Sequence, residues 1–265
     1  MYHMNMDNYT PIPYLNTMES VHFIFCDLNA KLCKQWDECI RTIIPEDKQS
    51  LFTVFNGPLD KYEGKFDCIV SPANSAIRLD GSFDNVISKM FSPSHRGAVT
   101  EHCQKYVYGI NNGYLAPGMC LLVPMHHFDE EKFGCKYIAL CPTMRIPDDC
   151  TWNKEVVYNC MWNLLAELWR HARRKNGKDE ITSVLITGLG TGVGGFSVES
   201  CARQMTVAWK HFHDNLQKEE NRTSWADMYS RDREISKCIP DRKKSIMSLQ
   251  QAWDDVIAEA ESEVF

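Results

Sequence analysis

Short apolar runs alternate with longer segments of helical periodicity along most of the chain. The runs are continuous rather than broken by polar residues, a pattern typical of strands that are buried on both faces of a sheet. We expect six such strands, at residues 21–26, 51–55, 67–71, 119–123, 136–140 and 183–186. The segments between them carry helical patterns, so the chain belongs to the α/β class.

Apolar positions recur at helical spacing in four segments. The first helix follows Asp27 or Asn29, and either residue can cap it. The other three patterns occupy residues 84–108 with an interruption at Pro93, residues 153–174 and residues 198–216. Strands that alternate with helices predict a three-layer α/β/α domain with a mostly parallel or mixed sheet. Ligands bind such sheets at the carboxyl ends of the strands.

The two ends of the chain differ from this central pattern. Residues 1–18 predict an irregular leader, and we place the α/β domain at residues 19–217. Residues 218–265 are charged, lack strand candidates and predict a helical C-terminal extension. Its apolar stripe consists of Ile246, Leu249, Trp253, Val256, Ile257 and Ala260. The stripe either packs on the domain or contacts a partner or a second copy of the chain.

The composition of the chain argues against two classes of partner, nucleic acids and membranes. A formal net charge of -6 and a pI near 5.9 argue against a surface for nucleic acid. No apolar run approaches the roughly 20 residues of a membrane helix, so we expect no membrane partner. The 12 cysteines are scattered without a C-x-x-C pair, and several lie in apolar runs. Without a signal-like apolar start, they favour a reducing compartment, and we expect the cytoplasm, with the nucleus as a further location.

The densest glycine segment reads Thr-Gly-Leu-Gly-Thr-Gly-Val-Gly-Gly-Phe-Ser and covers residues 187–197. This glycine loop stands between the last strand candidate and the helical pattern at 198–216. Glycine permits left-handed backbone, so successive amides can turn toward one point, and at a helix N-terminus such amides bind phosphate. A plain connection is the alternative, but it rarely needs so many glycines. We expect Gly192→Val or Gly194→Val to weaken phosphate binding through forbidden backbone angles.

The glycine loop matches neither of two common phosphate-binding motifs. No Gly-Lys-Ser/Thr follows its glycines, which excludes a P-loop. Gly190, Gly192 and Gly195 satisfy G-x-G-x-x-G, but a dinucleotide fold carries that motif after its first strand. Here the segment beyond the next helix contains no strand candidate. The glycine loop therefore follows the last strand of the sheet rather than the first.

A second loop of small residues, the asparagine loop, covers residues 71–84. Asn74 follows the strand candidate at 67–71, where its amide can donate and accept hydrogen bonds toward a ligand hydroxyl. Asp80 and Gly81 indicate a turn, and Asp84 begins the next helical pattern. Local roles are the alternatives: an Asx turn for Asn74 and an N-cap for Asp84.

Together the two loops resemble the macro domain family, over about residues 50–216. Residues 70–75 are similar to the family's first loop and residues 188–196 to its second. The resemblance implies that the first loop holds the distal ribose of ADP-ribose and the second its diphosphate. The chain looks closest to a divergent branch with Ser-Pro-Ala-Asn-Ser followed by an Asp-Gly-Gly turn. The characterised fungal-type activity nearest to that branch is a phosphatase acting on ADP-ribose 1''-phosphate.

The chain departs from the family pattern at two points. The segment equivalent to the family's Gly-Asp-Ile motif reads Gly57-Pro58-Leu59, so the aspartate that reads the adenine amine is missing. Asp27 could replace it, and a helix cap is the alternative role for that residue. Ser82 stands where a second glycine is common.

The resemblance implies a small-molecule ligand, either ADP-ribose or its 1''-phosphate, and a set of binding residues. In the two loops these are Ala73, Asn74, Ser75, Gly81, Ser82, Gly188, Gly190, Thr191, Gly192, Val193, Gly194, Gly195 and Phe196. Phe196 would pack against the terminal ribose, and Arg145, after another strand end, could meet a phosphate. For phosphomonoester hydrolysis, Asp84 would orient or deprotonate the attacking water, with Asp80 as second choice and Asn74 on the distal ribose.

Three other functions remain open from the residues. A hydrolase that removes ADP-ribose from protein side chains would use the same pocket, and a non-catalytic reader would need the pocket alone. A pure interaction protein would use the C-terminal stripe. We expect no cofactor and no metal, because His126 and His127 lack helical spacing, and His211 and His213 point to different helix faces.

Overall fold

The computed structural model describes residues 20–239 except 96, 127, 129–132, 176–179 and 219–221. The leader expected at residues 1–18 and the apolar stripe from Ile246 to Ala260 lie outside the described residues. Within the described part, no helix is long and apolar enough to cross a membrane.

Six strands form one mixed sheet. They are β1 (His22–Asp27), β2 (Phe52–Asn56), β3 (Cys68–Ser71), β4 (Leu121–Pro124), β5 (Tyr137–Leu140) and β6 (Ser183–Ile186). Their order across the sheet is β2-β1-β6-β3-β5-β4. β4 runs antiparallel to β5, and all other neighbouring strands are parallel. The prediction of a mixed sheet is confirmed, and each predicted strand is present.

Five of the six α-helices of the described residues follow the predicted patterns with shifted ends, and the sixth lies in the extension that is predicted to be helical. They are α1 (Ala30–Ile43), α2 (Ser82–Phe91), α3 (Ala98–Asn111), α4 (Val156–Lys175), α5 (Val198–Leu216) and α6 (Trp225–Lys237). The pattern at 84–108 is split between α2 and α3 on either side of Pro93, as its interruption predicts. The short 3₁₀ helices Glu46–Leu51 and Leu59–Lys61 flank β2.

Two helix starts decide between roles that the sequence left open. The Asn29 side chain accepts hydrogen bonds from the amides of Lys31 and Leu32, so Asn29, not Asp27, caps α1. Helix α2 begins at Ser82 with Gly81 as its N-cap residue. Asp84 therefore lies inside the first turn, and its interpretation as an N-cap is wrong. A carboxylate is still favoured there, because it faces the positive end of the helix dipole.

Side chains of the strands alternate between two buried layers. Phe23, Phe25 and Ile186 point toward the core that α1, α4 and α5 cover. Ile69 and Leu185 point toward the opposite core, which α2 and α3 cover. The three-layer architecture is therefore confirmed, and the continuous apolar runs are explained by burial on both faces. All twelve cysteines are buried free thiols.

Helix α6 packs on the outer side of α5. Ile235, Cys238 and Ile239 are buried in the same core as α5. Lys210 of α5 lies 3.3 Å from the carboxylate of Glu234, which fixes the two helices to each other. The described part of the C-terminal extension is thus helical and packs on the sheet-containing domain.

Candidate functional site

The carboxyl ends of all five parallel strands lie at one edge of the sheet and surround a cavity of about 610 Å³. The end of β1 and the residues after it contribute residues 26–29 to its wall, and the segment after β2 contributes residues 57–60. The asparagine loop, the segment after β5 and the glycine loop complete it. This location matches the rule that ligands bind parallel sheets at the carboxyl ends of their strands.

Four alternate carbonyl groups of the glycine loop are paired within the protein. The carbonyls of Gly188, Gly190, Gly192 and Gly194 all accept hydrogen bonds from within the protein. Their donors are, in order, the Thr191 hydroxyl at 3.1 Å and the amides of Phe196 at 3.0 Å, Gly195 at 3.1 Å and Cys150 at 3.0 Å. By contrast, no acceptor in the described part of the chain pairs with the amides of residues 190–194. These amides border the cavity and precede the N-terminus of α5, which favours a bound anion.

The glycines of this loop serve different steric purposes. Gly190 and Gly195 have φ angles of 71° and 75°, a left-handed conformation that favours glycine. A Cβ on Gly194 would lie 2.7 Å from the Gly190 carbonyl oxygen and 2.7 Å from the Cys150 sulfur. A Cβ on Gly192 would meet nothing within 4 Å. Gly192 and Gly194 do not have left-handed φ angles, so the expectation of forbidden angles there is wrong. Gly194 is required for close backbone approach, and a Cβ on Gly192 would enter open space.

Asp27 connects β1 to the start of the glycine loop. Its carboxylate accepts hydrogen bonds from the Thr187 hydroxyl at 2.9 Å and the Gly188 amide at 3.2 Å. The other carboxylate oxygen accepts from the Asn29 amide at 2.9 Å. The residue borders the cavity while it holds the loop in place. Its contact with adenine stays a prediction.

The Asn74 side chain organises the asparagine loop. Its Oδ1 accepts from the amides of Ala76 at 3.1 Å and Arg78 at 3.3 Å, and its Nδ2 donates to the Arg78 carbonyl at 2.9 Å. These are the local bonds of the Asx-turn alternative. Asn74 also borders the cavity, so its contact with a ribose hydroxyl stays a prediction.

Asp84 is a buried carboxyl at the wall of the cavity, with 9% of the residue exposed. It accepts a hydrogen bond from the Ser71 hydroxyl at 2.6 Å, which connects α2 to the end of β3. Burial raises the pKa of Asp84 to about 7, opposed by the Ser71 hydrogen bond and assisted by the negative charge of Asp80. Such a carboxyl can take up or release a proton near neutral pH.

Asp80 forms an ion pair with Arg78, a residue that the sequence did not single out. Arg78 Nε donates to Asp80 Oδ2 at 3.0 Å, and a terminal guanidinium nitrogen contacts the same oxygen. Both side chains border the cavity and are more than half exposed. One signal in the sequence could have pointed to Arg78: it is a charged residue in a loop that follows the carboxyl end of a buried strand.

The remaining predicted residues divide between the wall and the core. Gly81, Ser82, Gly188, Gly190, Thr191, Gly192, Val193 and Gly194 border the cavity. Ala73, Ser75, Arg145, Gly195 and Phe196 are not among the described residues that form its wall. Phe196 is buried in the core, and the Arg145 guanidinium lies 5.4 Å from the centre of the Trp152 ring. Their contacts with a ligand stay predictions, and these placements do not bring them to the cavity.

Sequence reasoning assigned no role to several residues of the wall. Leu28 and Asp60 belong to segments after the first two strands, and Phe83 and Val86 belong to α2. Met144 forms an isolated bridge with Asn74 that brings the segment after β5 against the asparagine loop. Among the described residues, no three His, Cys, Asp or Glu side chains are placed to hold a metal ion.

A family model described as Macro domain matches residues 70–205, which is more than half of the chain. Among solved structures, the chain is similar to an Oceanobacillus iheyensis macrodomain glycine-to-valine mutant with ADPR and to the Oceanobacillus iheyensis macrodomain with ADP. Each is 20% identical with a TM-score of 0.44, and each match covers 68% of this chain. The matches cover 89% and 87% of those two chains, respectively. The protein belongs to the macro domain family.

Proposed function

We propose that the cavity binds ADP-ribose or a derivative of it, and that the protein hydrolyses ADP-ribose 1''-phosphate to ADP-ribose and inorganic phosphate. Membership of the macro domain family supports the ligand class. The observation that carries the proposal is the row of amides at residues 190–194, which have no acceptor among the described residues and border the cavity.

The glycine loop supports binding of the diphosphate. The carbonyls of Gly188, Gly190, Gly192 and Gly194 are paired within the protein, whereas the amides of residues 190–194 have no acceptor among the described residues. The N-terminus of α5 adds a partial positive charge. A diphosphate supplies anionic oxygens that such amides can hydrogen-bond. The cavity of about 610 Å³ lies within the range of roughly 300–1,000 Å³ that is usual for small-molecule sites.

Asp84 supports hydrolysis rather than binding alone. Its pKa of about 7 leaves a large fraction of the carboxylate ready to accept a proton at neutral pH. In the proposed step, a water oxygen forms a bond to phosphorus while the bond from phosphorus to the 1'' oxygen breaks. Asp84 accepts a proton from the water, and the leaving oxygen takes a proton from solvent. Backbone amides stabilise the phosphate charge during this step.

Two measurements test the proposal. Calorimetry should show micromolar binding of ADP-ribose, on the order of -8 kcal/mol, and much weaker binding of AMP, which lacks the distal ribose and half of the diphosphate. Release of inorganic phosphate from ADP-ribose 1''-phosphate should occur with a chelator present. Equal affinity for AMP would contradict the placement of the distal ribose. ADP-ribose binding without phosphate release would rule out the phosphatase and leave a reader or an ADP-ribosyl hydrolase.

A further inference from the structure

Arg78 is the only Lys or Arg side chain among the described residues that form the cavity wall. Four carboxyl groups border the same cavity in that part of the chain, those of Asp27, Asp60, Asp80 and Asp84. An anionic ligand that enters this acidic environment needs positive charge or amide groups to offset repulsion. The amides of the glycine loop supply one such group, and the Arg78 guanidinium supplies another.

The protein holds the backbone and the side chain of Arg78 separately. The Asn74 side chain binds both the amide and the carbonyl of Arg78. The guanidinium binds one oxygen of Asp80 through Nε and one terminal nitrogen. A guanidinium carries five N–H donors in a planar fork that fits carboxylate and phosphate equally well. The same fork can therefore transfer from Asp80 to a phosphate without a change in the loop backbone.

The two positive features lie on adjacent loops. Arg78 follows β3 and the glycine loop follows β6, and these two strands are hydrogen-bonded neighbours. One wall thus presents amides to an anion and the next presents a guanidinium. A ligand with a single anionic group would use only one of them. A ligand with an internal diphosphate and a terminal phosphate would use both.

We propose that Arg78 is the residue that selects a ligand with a terminal phosphate monoester, by transferring its guanidinium from Asp80 to that phosphate. This inference rests on the proposed function, because it takes the diphosphate to occupy the glycine loop. It assigns the recognition of the 1''-phosphate to a side chain and that of the diphosphate to backbone.

The transfer also links the ligand to Asp84. The negative charge of Asp80 raises the pKa of Asp84, and Arg78 neutralises part of that charge while the ion pair holds. Cys103 of α3 is also close to Asp84, but burial raises the pKa of its thiol to about 12, so the thiol stays neutral. Arg78→Gln should therefore move the alkaline rise of the phosphate-release rate to higher pH, because the negative charge of Asp80 is then unopposed.

The binding test uses the full chain with Asp84→Asn, which removes the proposed proton acceptor so that the phosphate ligand persists. Calorimetry then compares ADP-ribose with ADP-ribose 1''-phosphate. We expect this parent protein to bind the phosphate ligand about tenfold or more tightly, as a charge-assisted fork contact permits. Adding Arg78→Gln should abolish the preference and leave ADP-ribose affinity within about threefold. Arg78→Lys should restore part of the preference, because charge returns without the fork.

Two control variants separate the effect of the Arg78 guanidinium from the effects of a freed carboxylate and of a lower net positive charge. Arg78→Gln combined with Asp80→Asn removes the ion pair without freeing a carboxylate, and it should lack the preference as Arg78→Gln does. Arg173→Gln removes the same charge from a residue that stacks on Trp169 outside the cavity wall, and it should keep the preference. Melting temperatures of all variants check that the fold is retained.

The outcomes that overturn the inference are distinct. A preference that survives Arg78→Gln, or that returns in the double variant, would mean that the guanidinium does not bind the phosphate. An equal loss of affinity for both ligands would make Arg78 a structural part of the loop. If the parent protein binds neither ligand, the proposed function fails and the inference fails with it. If it binds ADP-ribose with no preference for the phosphate form, only the inference fails.

Discussion

The glycine loop contributes backbone groups to the cavity, whereas the asparagine loop contributes charged side chains. The glycine loop borders the cavity with backbone, and four of its carbonyls are paired by hydrogen bonds within the protein. The asparagine loop brings charged side chains together, and each of them is held by another side chain or by the loop backbone. The comparison indicates that one loop depends on the absence of Cβ atoms, whereas the other depends on charge and protonation. Substitutions should therefore affect the two loops through different observables.

The largest expected effect lies in the asparagine loop. Asp84→Asn keeps the shape of the side chain and an oxygen that can accept from Ser71, but removes the proton acceptor. Phosphate release from ADP-ribose 1''-phosphate should fall by about 10²–10⁴-fold. ADP-ribose affinity should hold or rise, because one negative charge is gone. Full activity in the variant would move the role of base to Asp80.

The same carboxyl should also affect stability as pH changes. The pKa of Asp84 is about 7 in the folded protein and near 3.8 for an ordinary aspartate, so the folded state binds more protons between these values. Its contribution to stability is present below pH 4 and is lost as pH rises through 7. Between pH 4 and 8, wild type should lose on the order of 4 kcal/mol more unfolding free energy than Asp84→Asn. Denaturant titrations of both proteins at several pH values measure this difference. An equal loss of unfolding free energy in the two proteins would contradict the raised pKa of Asp84.

The glycine loop should respond to shape instead of charge. Gly194→Ala places a Cβ against the Gly190 carbonyl, so the loop must shift and ADP-ribose affinity should fall about tenfold, or about 1.4 kcal/mol. Gly192→Ala is the matched control, because its Cβ enters open space. It should retain the melting temperature and lose less affinity. Equal losses of ADP-ribose affinity in the two variants would show that close backbone approach at Gly194 does not shape the glycine loop.

The sequence predicted the elements whose signals are local. Continuous apolar runs predicted all six strands, and the helical patterns predicted α1 to α5, because burial on both faces leaves a direct imprint on residue type. The position of the glycine loop at the carboxyl edge also followed, since it stands between a strand and a helix. Its steric requirements did not follow. Which glycine adopts a left-handed angle and which touches Cys150 depends on a segment more than forty positions earlier.

Side-chain partners across the cavity were harder to predict. An aspartate is favoured both at the N-cap and in the first turn of a helix, so the sequence could not place Asp84 in α2. Phe196 is aromatic and close to the glycines, but whether it faces the ligand or the core depends on packing beneath the loop. Arg78 and Asp80 are two residues apart, yet only the folded loop shows that both reach the cavity.

The central claim is that the amides of residues 190–194 bind the diphosphate of ADP-ribose. Amide ¹H and ¹⁵N chemical shifts during a titration with ADP-ribose test it directly. The amides of Gly195 and Phe196 serve as internal references, because they already donate to carbonyls of the same loop. We expect the largest downfield proton shifts at residues 190–194 and smaller shifts at the two references. Saturable binding of ADP-ribose without shifts at residues 190–194 would contradict it.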